Sequence, residues 1–306
     1  MANTELIAIE NGTFTAEVAG HAGDELVLLL HGFPNSRHSW TSVIDVVAEQ
    51  GFRVVAPDQR GYSPGLRPGE IADYAIDQLA ADVLKLADAQ GANKFHVVGH
   101  DWGGQVAWYL AAHFAGRLHS LSVLSRPHPG AFQRALERDL EQASRSSHHR
   151  RFQDLQVAAK LLNDDARAVR NTLCYERADG AFGEGVGSEV AATKRRMSDA
   201  QAAQHLAVIG SEAAMNAALN WYRATMLGQP AAADEFPVCA VPTLYIWGDE
   251  DSTVGAIAAN ATRQFVSASY AFKPLAGVGH FAAEEAPALV TAALIDHLRV
   301  HREVTQ

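Results

Sequence analysis

Cysteine is scarce in this chain, and long apolar stretches and an excess of positive charge are missing from it. Of the 306 residues only Cys174 and Cys239 are cysteines. Two cysteines without metal-ligand spacing do not make a zinc site or a disulfide scaffold, and they fit a reducing compartment. No apolar stretch approaches the ~20 residues that a membrane span needs. We therefore expect no transmembrane helix.

The first residues and the charge balance narrow the class further. The start, MANTELIAIENGTF, has acidic and polar residues where a secretory signal has positive charge and then a longer apolar run. We therefore expect a cytoplasmic protein. Lysine and arginine number 25 against 35 aspartate and glutamate residues, a formal net charge of -10. This charge repels phosphate backbones and anionic lipids, so a small molecule is a better candidate partner than nucleic acid or a membrane.

Short apolar runs alternate with helical patterns at both ends of the chain. The runs are IAIE (7–10), LVLLLH (26–31), RVVAP (53–57), FHVVG (95–99), LSVLS (121–125), PTLYIWG (242–248) and YAFKPL (270–275). In the helical pattern at 76–91, Leu79, Val83 and Leu86 fall on one face before Gly91 ends the helix. The alternation predicts an α/β fold, with a mostly parallel sheet that helices cover on both faces.

The middle of the chain has a different pattern. Residues 126–237 contain helical stretches without a clear strand, and the glycine-rich GAFGEGVG at 180–187 is typical of a flexible connection. We predict an all-helical cap domain at 128–237, inserted into an α/β core domain of residues 1–127 and 238–306. The length of the chain fits one large domain with an insertion.

The sequence GHDWGG, at 99–104, lies between an apolar run and a helical pattern. A strand, then small-x-nucleophile-x-small-small, then a helix is the pattern of a nucleophile elbow. In an elbow, glycines let the backbone turn so sharply that the central side chain stands exposed beside backbone amides. The central residue here is Asp101 instead of the usual serine. Because the ordinary pKa of an aspartate is ~3.9, it is ionised at neutral pH and needs no activating base.

An aspartate nucleophile restricts the chemistry. On an acyl carbon it would form a labile anhydride, whereas on a saturated carbon that bears a leaving group it forms an ordinary ester. Asp101 therefore predicts alkyl transfer followed by hydrolysis, and it argues against a serine-type esterase. A histidine would deprotonate the water that attacks the ester carbonyl.

In α/β folds that carry a nucleophile elbow, the nucleophile is followed along the chain by the acid and then by the histidine. This chain has candidates in that order. Asp251 follows the run TLYIWG and His280 follows YAFKPL. Asp251 would orient the imidazole of His280 and stabilise its protonated form. Asp249 is the alternative, and we favour Asp251 because the acid usually lies three residues beyond the glycine. The acid can also follow an earlier strand, here the run LSVLS. That position has Ser125 and then Arg126, neither of which is a carboxylate.

Two backbone amides are expected to bind the negative charge of the second step. HGFP, at 31–34, follows the run LVLLL and would place the Phe33 amide opposite the Trp102 amide as an oxyanion hole. Pro34 has no amide hydrogen, so the donor must precede it.

Together these motifs resemble the α/β-hydrolase superfamily and, within it, the epoxide hydrolases. The resemblance rests on HGFPNSRHSW, APDQRGYSPG, GHDWGGQVAW, LNWYRA, WGDEDS and GVGHF, and it spans nearly the whole chain. It implies an eight-stranded sheet below the cap. The implied substrate is a small apolar epoxide, which water converts to a vicinal diol without a metal or cofactor.

In that family two cap tyrosines donate hydrogen bonds to the epoxide oxygen. Tyr222, in NWYR, matches one of them. The other lies in a pattern like Tyr-x-x-Tyr-Phe-Gln, where this chain has HHRRFQ at 148–153, so His148 takes its place. An imidazole can also donate a hydrogen bond. Most other histidines, His205 among them, are expected to be surface or helix residues without a role, while His31 and His100 are expected to shape their loops.

Two other functions fit part of the pattern. A haloalkane or haloacid dehalogenase shares the aspartate nucleophile, the ester and often a tryptophan at the position of Trp102. Haloalkane dehalogenases usually have a polar residue at the position of Phe33, and haloacid-type relatives have an arginine after the nucleophile. Neither feature is present in this chain. Halide also needs no proton donor such as Tyr222. A non-catalytic ligand-binding protein is the third possibility, since a fold alone does not prove a reaction.

Overall fold

The computed structural model describes residues 1–176, 194–227 and 236–303 and is built around an eight-stranded sheet. Its strands are β1 (Asn3–Ile9), β2 (Gly12–Ala19), β3 (Glu25–Leu30), β4 (Phe52–Pro57), β5 (Phe95–His100), β6 (Leu118–Leu124), β9 (Thr243–Gly248) and β10 (Tyr270–Leu275), while β7 (Tyr175–Glu176) and β8 (Lys194–Arg195) form a separate pair. The order is β1-β2-β4-β3-β5-β6-β9-β10. β2 pairs antiparallel with β1 and β4, and the other neighbours are parallel. The predicted mostly parallel sheet is confirmed.

Helices cover both faces of this sheet and occupy the chain between β6 and β9. They are α1 (Ile44–Ala48), α2 (Ile76–Ala89), α3 (Trp102–His113), α4 (Pro129–Arg138), α5 (Leu140–Arg145), α6 (His148–Arg151), α7 (Val157–Cys174), α8 (Asp199–Ile209), α9 (Glu212–Ala224), α10 (Ala256–Ala261), α11 (Ala282–Glu285) and α12 (Pro287–Val300). The backbone of α7 leaves helical geometry at 163–166. None of the helices in the described ranges is long and apolar enough to cross a membrane.

The segment between β6 and β9 carries α4 to α9, but it is not entirely helical. β7 pairs antiparallel with β8. The expectation of an all-helical cap is wrong at this ladder. The sequence does not predict the ladder because strands of two residues are too short to produce an alternating pattern. The glycine-rich connection at 180–187 lies outside the described residues. We retain the bounds 128–237 for the cap as a proposal.

Strand β2 was not among the predicted apolar runs because only one of its faces is buried. Phe14, Ala16 and Val18 are buried, while the residues that alternate with them, from Thr13 to Glu17, are partly exposed. Central parallel strands instead have helices over both faces. Val97 of β5 belongs to the hydrophobic core on one side of the sheet and its neighbour Val98 to the core on the other side. Such strands appear in a sequence as continuous apolar runs.

His128, buried between β6 and α4, predicts a loss of stability at acidic pH. Its Nδ1 accepts a hydrogen bond from the Gly130 amide (3.2 Å), and its Nε2 lies 3.1 Å from the Pro237 carbonyl. This arrangement fits the neutral ring, and burial lowers the pKa of His128 to about 4.

Because the unfolded chain binds this proton from about pH 6.5 downward, stability is lost as the pH falls from there towards the folded pKa. We expect His128 to account for about 2 kcal/mol of lost unfolding free energy at about pH 5 relative to neutral pH. Urea unfolding at both pH values measures this loss. In His128→Gln the difference between the two pH values should shrink, and an unchanged difference would show that another group causes the loss.

Candidate active site

Asp101 lies at the turn from β5 into α3, with φ 49° and ψ −115°. Two glycines make this turn possible. A Cβ on Gly99 would lie 2.3 Å from the Gly103 carbonyl oxygen, and one on Gly103 would lie 2.3 Å from that of Leu30. A positive φ at a residue other than glycine costs about 1–3 kcal/mol and is retained mainly at functional sites. The strained turn places the Asp101 carboxylate at the carboxyl end of the sheet.

The loop after β3 holds one oxygen of this carboxylate. The Phe33 amide donates a hydrogen bond to Asp101 Oδ1 at 3.0 Å. A Cβ on Gly32 would lie 2.4 Å from the Asp101 Cβ, so only glycine allows this close approach. The Phe33 amide therefore lies where the sequence places one donor of the oxyanion hole. The contribution of the Trp102 amide stays a prediction.

The Asp101 carboxylate is buried, with 6% of the residue exposed. Burial alone would raise the pKa of Asp101. Electrostatic interactions with His280, His100 and Arg126, together with the hydrogen bond from the Phe33 amide, outweigh this effect and lower the pKa below its ordinary value. Asp101 is therefore ionised at neutral pH, as a carboxylate nucleophile must be.

His280 lies between Asp101 and a second carboxylate. Its Nδ1 is 3.0 Å from both Asp251 oxygens, and its Nε2 is 3.8 Å from Asp101 Oδ2. Asp251 Oδ1 also accepts hydrogen bonds from the amides of Thr253 (2.8 Å) and Val254 (2.9 Å), which fix the carboxylate. With the Nδ1 hydrogen donated to Asp251, the neutral ring turns the lone pair of Nε2 towards Asp101.

The alternative acid, Asp249, has a different place. It is exposed, and its Oδ1 accepts a hydrogen bond from the Gly277 amide at 2.7 Å. Of the two aspartates, only Asp251 contacts the His280 ring in the described structure.

His100 and His31 support the loops of the site. His100 Nε2 lies 2.9 Å from the His280 carbonyl oxygen, and burial, followed by the charge of His280, lowers the pKa of His100. His31 Nε2 accepts a hydrogen bond from the Gln59 amide at 3.2 Å, and burial lowers the pKa of His31 to about 3. The neutral His100 ring therefore donates to the backbone of His280 and helps to hold its loop.

In the motif NWYR, the residues on either side of Tyr222 hold helix α9 in place. Trp221 Nε1 donates to the Arg60 carbonyl at 2.9 Å, which fastens α9 to the core. Arg223 Nε donates to the Phe152 carbonyl at 3.2 Å, which fastens the chain after α6 to α9. Tyr222, between them, is 3% exposed.

The Tyr222 ring lies among aromatic side chains from both core and cap. The distances between ring centroids are 4.9 Å to Trp102, 4.9 Å to Phe152, 5.1 Å to His149, 5.5 Å to Phe33 and 6.0 Å to His148. Burial, and then the charge of Asp101, raise the pKa of Tyr222 well above 10. The hydroxyl is therefore protonated at neutral pH and can donate a hydrogen bond.

His148 begins α6 and is buried near the same site. Its Nδ1 lies 3.1 Å from the Arg145 carbonyl oxygen. Burial lowers the pKa of His148 to about 4, although the charge of Asp101 opposes this shift. A neutral ring that donates its Nδ1 hydrogen to Arg145 has only an acceptor at Nε2. Donation from Nε2 to a substrate oxygen therefore requires the protonated ring.

His205 contacts the core, although the sequence predicts a surface or helix residue without a role. It lies on α8 and is buried, with Nδ1 2.9 Å from Ser36 Oγ and Nε2 3.6 Å from Glu284 Oε1. It therefore connects the cap with the loop that follows Phe33 and with the helix that follows His280. Its position on the apolar side of α8 was the available signal, because Ala202 and Leu206 are buried beside it.

Comparison with known proteins places this chain in a family. Residues 25–287 match the model of the alpha/beta hydrolase fold, which defines the class of the protein. AB hydrolase superfamily protein YfhM of Bacillus subtilis is 30% identical over 94% of both chains. Epoxide hydrolase A of Mycobacterium tuberculosis is 31% identical over 97% of this chain and 98% of its own.

A solved structure agrees with the sequence relatives. Epoxide Hydrolase A from Mycobacterium thermoresistibile superposes with a TM-score of 0.82 at 29% identity, over 98% of both chains. The chain belongs to the α/β-hydrolase superfamily and, within it, to the epoxide hydrolase family.

Proposed function

We propose that this protein hydrolyses a small apolar epoxide to a vicinal diol through a covalent ester on Asp101. The observation that carries the proposal is the arrangement of the Asp101 carboxylate. Oδ1 accepts the Phe33 amide at 3.0 Å, and Oδ2 lies 3.8 Å from His280 Nε2. One oxygen is thus held by a donor, and the other is available for attack. The substrate and water need no metal or cofactor in this scheme.

In the first step, Asp101 Oδ2 attacks an epoxide carbon and the ring carbon–oxygen bond breaks. The negative charge leaves the carboxylate and develops on the epoxide oxygen. Tyr222 donates a hydrogen bond to this oxygen and supplies its proton, a contribution typical of general acid catalysis. A proton from solvent then restores the Tyr222 hydroxyl. His148 assists only at acidic pH, because its neutral form donates to Arg145 and its pKa is about 4.

In the second step, His280 Nε2 takes a proton from water, and the hydroxide attacks Cγ of the ester. The charge then collects on Oδ1, where the Phe33 amide and the proposed Trp102 amide stabilise it. Collapse breaks the bond from Cγ to the former Oδ2, which leaves with the diol and takes the proton from His280. The second proton of the water passes from the new Asp101 carboxyl group to solvent, which regenerates the carboxylate and balances the proton that Tyr222 regained. Asp251 orients His280 and stabilises its protonated form throughout.

The surroundings of Trp102 favour the epoxide over a halide. A dehalogenase requires a ring nitrogen that faces the leaving group, and halide leaves without a proton. Here the Trp102 ring packs edge-on against Tyr222, at an angle of 84°. The Trp102 side chain also forms a hydrogen bond with the Tyr222 hydroxyl. The indole is therefore engaged with a buried, protonated hydroxyl of the kind that an alkoxide leaving group requires.

Styrene oxide and 1-bromobutane separate the two reactions. We expect the protein to convert styrene oxide to the diol and to release no bromide from 1-bromobutane. Tyr222→Phe, which removes the donor but keeps the ring, is expected to lower kcat/KM for the epoxide about a hundredfold. Chromatography of the products measures the rate of diol formation by the unmodified protein and by Tyr222→Phe.

Tyr109→Phe is the matched control, because Tyr109 lies on α3 against His113. It should leave the rate unchanged. Bromide release without diol formation would make the protein a dehalogenase, and full activity in Tyr222→Phe would remove Tyr222 from the mechanism.

A further inference from the structure

Arg126 is a buried cation that the mechanism above does not use. It follows β6, after Ser125 with its left-handed φ of 51°, and it is 8% exposed. Its Nε and Nη2 donate hydrogen bonds to Gln105 Oε1 at 3.0 and 2.9 Å. Its guanidinium carbon lies 4.5 Å from the centre of the Phe132 ring and 5.8 Å from that of Trp102. Within the described ranges, its hydrogen-bond partner is thus a neutral amide, not a carboxylate.

These local partners do not explain why a charge is buried at this place. A buried charge is costly unless an opposite charge compensates it. Gln105 lies in the first turn of α3, where the helix dipole presents partial positive charge and disfavours a cation. The backbone N–H of Gln105 donates to the Asp101 carbonyl at 3.0 Å, as part of the first turn of α3, so the Gln105 side chain holds Arg126 against the helix that begins after Asp101.

The carboxylate of Asp101 supplies the missing negative charge. Burial lowers the pKa of Arg126, and the charge of Asp101 is the largest effect that opposes it. Arg126 in turn is among the groups that lower the pKa of Asp101 and of Tyr222. The two charges therefore stabilise each other through space.

We propose, on the basis of the function proposed above, that Arg126 is a positioning residue that acts through Asp101. Its buried charge is the counter-charge of the nucleophile, and it favours the return from the ester to the free carboxylate. When Asp101 is esterified and the alkoxide has been protonated, Arg126 loses its counter-charge. The tetrahedral oxyanion and the regenerated carboxylate restore it, so Arg126 accelerates hydrolysis of the ester.

The test separates the two chemical steps. Arg126→Met removes the charge but keeps an apolar stem, and Arg126→Lys keeps the charge. Rapid quench with styrene oxide, followed by intact-protein mass, measures ester formation and ester hydrolysis separately. In Arg126→Met we expect ester hydrolysis to slow about tenfold, so that more of the enzyme accumulates as ester. Arg126→Lys should restore most of the rate of hydrolysis.

The pH profile adds a measurement that a packing defect would not move. In Arg126→Met the acid limb of ester formation should shift to higher pH, because Asp101 loses a group that keeps it ionised. The other titratable groups that act on Asp101 or Arg126 are His100, His148, His149, His280, Tyr62, Tyr222 and Tyr245. All of these remain in the variant, so the shift reports Arg126 alone.

A second variant covers the case in which Arg126→Met does not fold. Gln105→Glu keeps Arg126 and gives it a local carboxylate, so it should also slow ester hydrolysis and raise the acid limb. An unchanged ratio of the two rates and an unchanged pH profile, in whichever variant folds, would overturn the proposal for Arg126. The absence of ester and diol from the unmodified protein would instead overturn the proposed function.

Discussion

His280→Ala is expected to stop the reaction after its first step and to retain the substrate on the protein. Without the base, water cannot be activated at the ester, whereas attack by Asp101 does not need the imidazole as a base. The intact mass of the variant after incubation with styrene oxide should increase by one whole epoxide molecule. Turnover should be lost almost completely, since removal of one member of such a set costs nearly as much as removal of all of them.

Asp101→Ala is the control for this adduct. It should show no mass increase, alone or combined with His280→Ala. An adduct that persists without Asp101 would place the nucleophile elsewhere. A gain of butyl from 1-bromobutane, with none from epoxides, would turn the assignment to a dehalogenase.

Asp251→Asn is expected to lower kcat about ten thousandfold, as the loss of a triad acid does. The amide can present its NH2 group to His280 Nδ1 and so favour the wrong tautomer, with the hydrogen on Nε2. It also cannot stabilise the protonated imidazole. Steady-state kinetics with styrene oxide measure this loss.

Asp249→Asn is the matched variant, since it makes the same change two residues away. Asp249 is exposed, and its carboxylate accepts a hydrogen bond from the Gly277 amide, a contact that an asparagine oxygen can keep. Its activity should stay within a few-fold of the unmodified protein. Equal losses in both variants would mean that the loop, not the carboxylate of Asp251, is what the reaction needs.

How well each element could be predicted depended on whether a local sequence pattern specifies it. The central strands and α2 were predictable because parallel strands buried on both faces are continuous apolar runs, and because Leu79 and Val83 repeat at helical spacing. β2 was missed because half of its residues face water. The ladder of β7 and β8 was missed because it is too short for a period.

The site divides in the same way. The sequence by itself identified Asp101 as the candidate nucleophile, since the glycines around it specify a sharp turn locally, and it gave the chain order of the candidate acid and histidine. It also located Tyr222, because NWYR combines the tyrosine with the two residues that fasten its helix.

Only the tertiary structure decided which groups face one another. It brought Asp251 rather than Asp249 to His280, turned the Nδ1 of His148 to a carbonyl, and placed Arg126 beside the helix that begins after Asp101. These relations join strands and helices that are distant in sequence. Helical and strand periods specify which face of one element is buried, but the partner across an interface depends on how separate elements pack.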